Sequence, residues 1–110
     1  MRPTCSTAAI IALMFSQSAI AQEAGDPRAG LEFARTNCTS CHAVNNGEAT
    51  SPNKNAPAFA TVAKMPGMTG TALAVWLQSS HPTMPDFIIA AKDRDNVIAY
   101  IMSLQPIPEQ

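Results

Sequence analysis

Aromatic side chains are scarce in this chain of 110 residues, with one Trp, one Tyr and four Phe. Long apolar runs are scarcer still: one stretch, Ala8 to Phe15, is continuous, and it is too short to span a bilayer as a helix. No segment alternates polar and apolar residues with period two, so nothing predicts strands. Charge is low and balanced, with seven Lys and Arg against eight Asp and Glu, which gives no basic surface for nucleic acid. Three cysteines cannot build a disulfide framework. A domain this small, with so few large side chains, needs a staple, a metal or a bound group to complete its centre.

The first residues are expected to leave the chain. Arg2 gives a basic start, Ala8 to Phe15 an apolar middle, and Ala19-Ile20-Ala21 a small-residue cleavage site before Gln22. That order is a secretory signal peptide over residues 1–21, which predicts export to the periplasm and one domain over residues 22–110. Cys5 departs with the leader. The remaining 89 residues hold six Lys and Arg against eight Asp and Glu, a net charge of −2. They contain no second apolar run, so no stable membrane anchor is expected after cleavage.

The domain reads as all-α. Asp26 followed by Pro27 starts a helix that should run to about Asn37. Residues 43–56 are loop, with Asn46-Gly47 as a turn signal. Residues 57–65 form a short helix with Pro57 in its first turn, broken by Pro66-Gly67. A third helix, capped by Thr69 or Thr71, runs toward Ser80 with Leu73, Trp76 and Leu77 on one face. Two prolines keep residues 81–87, HPTMPDF, out of regular structure. The last helix spans about Lys92 to Leu104, with Val97, Tyr100, Ile101 and Leu104 on its apolar face.

Chemistry concentrates in NCTSCHAVNN, residues 37–46. Cys38 and Cys41 stand three apart and His42 follows directly. A thioredoxin-like dithiol would need a β-α-β setting, and here a helix runs into the motif. Structural zinc would need four ligands, and beyond the two cysteines the chain offers only His42 and His81. Cys-x-x-Cys-His is the attachment signal of a c-type haem. Cysteines at i and i+3 leave one side of a helical turn, so both thiols can meet vinyl groups of one porphyrin. His42 then supplies a neutral imidazole nitrogen to the iron. The thioethers hold a haem that so small a chain could not grip by packing alone.

The second axial position decides the chemistry. A Met thioether gives a saturated iron suited to electron transfer, whereas an open position binds small ligands. The candidates are Met65, Met68, Met84, Met102 and His81. Met102 is most simply core filling, and Met65 and Met68 flank a turn. Met84 lies in a proline-framed segment that can aim one side chain. His81 would make a bis-histidine iron, but reads more simply as a surface or satisfied histidine. Trp76 and Tyr100 read as helix-face core residues against the haem rather than as electron relays.

GLEFARTNCTSCHA, NAPAF, HPTMPDF and NVIAYIMSL resemble, in order and spacing, the small class I c-type cytochromes of bacteria, over essentially the whole of residues 22–110. The resemblance implies the cytochrome c fold: three to five short helices wrapped around one covalently attached haem c, with the first and last helices crossing. It implies that Cys38 and Cys41 hold the vinyls, that His42 and Met84 ligate the iron, and that the Pro57 carbonyl accepts the His42 N–H. Gly30 falls where the family keeps a glycine for close helix contact, and Tyr100 where it keeps an aromatic. Two positions depart from the pattern: Ala34 stands where the family often has Phe, and Ala90 where the last helix often has a Ser or Thr cap.

The expected function is that of an exported monohaem electron carrier, cycling Fe(III) and Fe(II) between redox protein donors and acceptors, and not an enzyme. A haem sensor with a labile sixth site and an electron-transfer subunit of a dehydrogenase complex are the alternatives. Lys54, Lys64 and Lys92 are too few to predict an acidic partner.

Overall fold

A computed structural model describes residues 24–86 and 88–107, and the expected leader lies outside them. The described residues form four helices and no strand: α1, Pro27–Asn37; α2, Phe59–Ala63; α3, Gly70–Trp76; and α4, Ala91–Ser103. Each follows from local chemistry and then from burial.

The start of α1 is set twice. The Asp26 side chain accepts from the Arg28 amide at 2.8 Å, satisfying one of the free first-turn donors. The Asp26 amide itself donates to the buried Asn96 Oδ1 at 2.9 Å, which ties this helix start to α4 across 70 residues. Arg35 in the last turn suits the negative end of the helix dipole and pairs with Glu32 at 3.2 Å.

Packing between α1 and α4 is the backbone of the fold. A Cβ on Gly30 would lie 2.0 Å from the Asn96 carbonyl oxygen and 2.9 Å from the Tyr100 Cβ, so only glycine lets the helices approach this closely. Ala34, directly beneath, is fully buried, and the small side chain there serves the same close contact. Because Ala90 offers no side-chain cap, α4 is held by burial instead: Val97, Ile98, Ala99, Tyr100 and Ile101 are all inside. Val97, Ile98, Tyr100 and Ile101 form one core with Ala34, Val44, Phe59, Ala63 and Leu73. Met102 and Met68 pack against its margin, as gap fillers do.

Two helices are shorter than their sequence patterns. In α2, Ala58 is the extended N-cap, so Pro57 precedes the helix rather than opening it. α3 begins at its Thr69 cap, whose side chain accepts from Ala72 N at 3.1 Å, but stops at Trp76. Beyond it, Gln78 Nε2 and Ser79 Oγ donate back to the carbonyls of Ala74 and Val75, taking acceptors that backbone amides would need to continue the helix. Trp76 is the last residue of α3 and is 53% exposed on the protein surface. Gly47 and Gly67 take left-handed backbone at the two expected turns.

Candidate haem site

The Cys-x-x-Cys-His segment follows α1 without a break. Cys38 caps the helix through its amide to the Ala34 carbonyl. Its own carbonyl then accepts from both Cys41 N at 3.2 Å and His42 N at 2.9 Å, which closes one helical turn. Both thiols are free and half-buried, three residues apart on that turn. Burial, and secondarily the neighbouring Cys41, push the Cys38 thiol up to about 11. It therefore keeps its proton at neutral pH, unlike the thiolate on which dithiol exchange depends.

The loop after the motif folds back over it. Cys41 O accepts from Asn53 N at 3.1 Å, Ala43 N donates to Ser51 Oγ at 3.0 Å, and Ala43 O accepts from Phe59 N at 2.9 Å. Arg35 Nε reaches Asn45 Oδ1 at 2.9 Å, and Glu48 holds the same Asn45 through its backbone and side-chain amides. Those bonds hold the Glu48 carboxyl below the usual carboxylate range. From the far side, the Tyr100 hydroxyl donates to the buried Val44 carbonyl at 2.5 Å.

Within this frame His42 Nδ1 lies 2.7 Å from the Pro57 carbonyl oxygen. A carbonyl only accepts, so Nδ1 carries the proton and Nε2 is left with its lone pair. The Phe59 ring packs against the imidazole with centroids 5.3 Å apart, and Tyr100 packs behind Phe59 at 6.5 Å. The displacement of Pro57 from α2 has its reason here: its carbonyl is turned to His42.

Met84 belongs to a second group. Residues 81–84 form a turn closed by Met84 N to His81 O at 3.3 Å, with Thr83 in left-handed backbone at φ 69°. His81 Nδ1 is 2.8 Å from the Ser79 carbonyl, and its Nε2 is 2.9 Å from Met84 Sδ. Trp76 meets the His81 ring edge-on at 5.1 Å. These side chains line a cleft of about 360 Å³ with Leu77, Ile89 and Arg94. Cys38, Cys41, His42 and Pro57 sit together; Trp76, His81 and Met84 sit together; none of the first set lines the cleft of the second.

The donor set fits a covalent haem. Two thiols leave one turn beside an imidazole with a bare Nε2, and a thioether stands on a separate proline-framed turn. Among the described residues no three His, Cys, Asp or Glu are grouped to hold a metal ion by themselves, and no strand offers a β-α-β frame. The braces on the motif were not legible in the sequence: Ser51, Asn45, Asn53 and the Tyr100 hydroxyl carry no local signal of their partners.

The chain matches the cytochrome c family model over residues 28–105. It is 40% identical over 91 residues to cytochrome c-552 of Bradyrhizobium diazoefficiens, an alignment that covers 83% of this chain and 84% of that one. No solved structure matches it. The all-α fold with α1 packed on α4 and the two sequence matches lead to one conclusion: the chain belongs to the cytochrome c family, as a small class I c-type cytochrome, a monohaem electron carrier with covalently bound haem c.

Proposed function

We propose that this protein is an exported, periplasmic electron carrier whose haem is joined to Cys38 and Cys41 and ligated by His42 and Met84. The observation that carries the reading is the 2.7 Å contact between His42 Nδ1 and the Pro57 carbonyl. It fixes the tautomer, leaves Nε2 as the donor nitrogen and makes that nitrogen more basic. The haem supplies an iron that alternates between Fe(III) and Fe(II).

The chain's own residues do the rest. The helical turn from Cys38 to His42 presents two thiols and an imidazole from one short segment, so a single local fold sets three attachments. The Phe59 ring and the Tyr100–Val44 bond keep that segment from moving when charge changes. Met84 offers a soft thioether, which favours the ferrous state and saturates the iron against outside ligands. Pro85 and Pro82 restrict the backbone on either side of the turn that carries it. Electrons pass to and from redox protein partners in brief contacts, with no bond to substrate made or broken.

The test is attachment. Full-length protein is matured in a periplasm with c-type haem machinery, then extracted with acidified acetone. The haem is expected to stay with the chain, and the pyridine haemochrome spectrum to be that of two thioethers. The Cys38→Ser/Cys41→Ser double variant should release its haem or fail to accumulate any. Haem extracted freely from the unaltered protein would overturn the assignment.

A further inference from the structure

One histidine on the distal turn is held more firmly than an idle loop residue requires. His81 is half-buried, its Nδ1 lies 2.8 Å from the Ser79 carbonyl, and the Trp76 ring meets it edge-on at 84°. The carbonyl only accepts, so Nδ1 carries the proton and, in the neutral ring, Nε2 is bare. That bare nitrogen faces Met84 Sδ at 2.9 Å. A thioether has no proton to give. Both ring nitrogens thus face acceptors, the neutral ring has a proton for only one of them, and an imidazole nitrogen and a thioether sulfur stand side by side at one cleft. Both are good ligands for haem iron, one an imidazole with its far nitrogen already tied to a carbonyl, as ligating imidazoles usually are.

We infer that His81 is a reserve axial ligand, able to take the place of Met84 when the thioether is lost. The inference rests on the proposed haem ligation by Met84 and adds to it. The geometry makes the exchange short. His81 and Met84 are the two ends of one tight turn, joined by the Met84 N to His81 O bond, and their donor atoms are 2.9 Å apart. No other segment has to be recruited. Among the described residues, the side-chain bonds of this stretch are local: Ser80 Oγ reaches Asp86, Ser79 Oγ reaches Val75 O, and Gln78 reaches Ala74 O. Thr83, between the two donors, sits in left-handed backbone that a β-branched residue rarely adopts, so a shift of the turn can relieve strain. The chemical consequence is specific. With the thioether lost, His42 and His81 would hold the iron between two imidazoles, which would keep it low-spin and closed to outside ligands and would lower its potential, the soft sulfur that favours Fe(II) being gone.

The experiment compares haem-loaded full-length Met84→Ala, His81→Ala and the double variant by ferric and ferrous spectra, with carbon monoxide added to the ferrous forms. Met84→Ala is expected to lose the weak red thioether band, remain low-spin and stay indifferent to carbon monoxide. His81→Ala should keep the thioether band. The double variant should turn high-spin and bind carbon monoxide, and added imidazole should restore its low-spin spectrum. If Met84→Ala is already high-spin and binds carbon monoxide as readily as the double variant, His81 is no reserve ligand, while the Met84 assignment stands. If both variants lacking Met84 stay low-spin, another residue fills the position and the inference fails. If the unaltered protein has no thioether band and His81→Ala alone opens the iron, the Met84 assignment itself fails. Should Met84→Ala not accumulate, Met84→Leu preserves the side-chain volume and carries the same comparison, with helical circular dichroism reporting that the fold is retained.

Discussion

The segment around Cys38–His42 and the turn around Met84 are built on opposite plans. The Cys38–His42 segment is braced by residues far away in sequence: Tyr100 reaches Val44 across 56 residues, Pro57 reaches His42 across 15, and Asn53 and Phe59 bond the backbone of its loop. Around Met84, every described side-chain bond spans six residues or fewer. Val44 is 1% exposed, whereas Ile88, just past the distal turn, is fully exposed. The difference teaches where this protein can yield. On the proposed haem site, the Cys38–His42 segment would have rigid surroundings, and Met84 would stand on a turn whose described side-chain bonds are local.

Substitutions can break or sharpen that contrast, and the largest effect belongs to the rigid half. Gly30→Ala places a Cβ 2.0 Å from the Asn96 carbonyl oxygen, where backbone must move to admit it. Destabilisation of about 3 kcal/mol or more is expected, at the upper end for overpacking. Thermal unfolding checks it, at roughly 4–8 °C per kcal/mol for a domain of this size.

Tyr100→Phe comes next. It leaves the buried Val44 carbonyl without its donor and should cost about 1–3 kcal/mol. The same variant isolates a pH effect. Burial raises the Tyr100 hydroxyl above its ordinary value of 10.0, so the folded state holds this proton more tightly than the unfolded state. The contribution is fully present below pH 10 and declines as pH rises through the folded value. The unaltered protein should lose stability above pH 10 by a component that Tyr100→Phe lacks, as measured by denaturant midpoints across that range.

Two loop serines give the smallest effects and the sharpest pairing. Ser51 Oγ accepts from the Ala43 amide at 3.0 Å in the attachment segment, while Ser80 Oγ donates to Asp86 at 2.8 Å on the exposed distal stretch. Ser51→Ala should cost about 1 kcal/mol, because a part-buried amide loses its partner. Ser80→Ala should stay within about 0.5 kcal/mol, since water replaces the lost bond. Equal effects in chemical unfolding would contradict the contrast between the two halves.

What was legible in the sequence follows from the range of the interactions. Asp26-Pro27 starts α1 because capping is local, and the Cys38–His42 turn continues it for the same reason. The apolar face of α4 was readable from Val97, Tyr100 and Ile101, and the close contact at Gly30 from the family resemblance. The length of α3 was not, because Gln78 and Ser79 compete for its last carbonyls and look like ordinary helix residues in a string. Trp76 ends α3 and meets the His81 ring edge-on, a pairing that helical spacing does not encode. The Asn96–Asp26 and Tyr100–Val44 bonds join positions 70 and 56 residues apart, and no local pattern encodes either partner. The pairing of His81 with Met84 is local in sequence, but only the turn geometry brings their donor atoms together.

The most direct test of the account is the optical spectrum of the haem-loaded, unaltered protein, ferric and ferrous, with carbon monoxide added to the ferrous form. A low-spin spectrum with the weak red ferric band of thioether ligation, unchanged by carbon monoxide, is the predicted result. High-spin bands and ready carbon monoxide binding would contradict it, and would make the protein a binder of small ligands rather than a closed electron carrier.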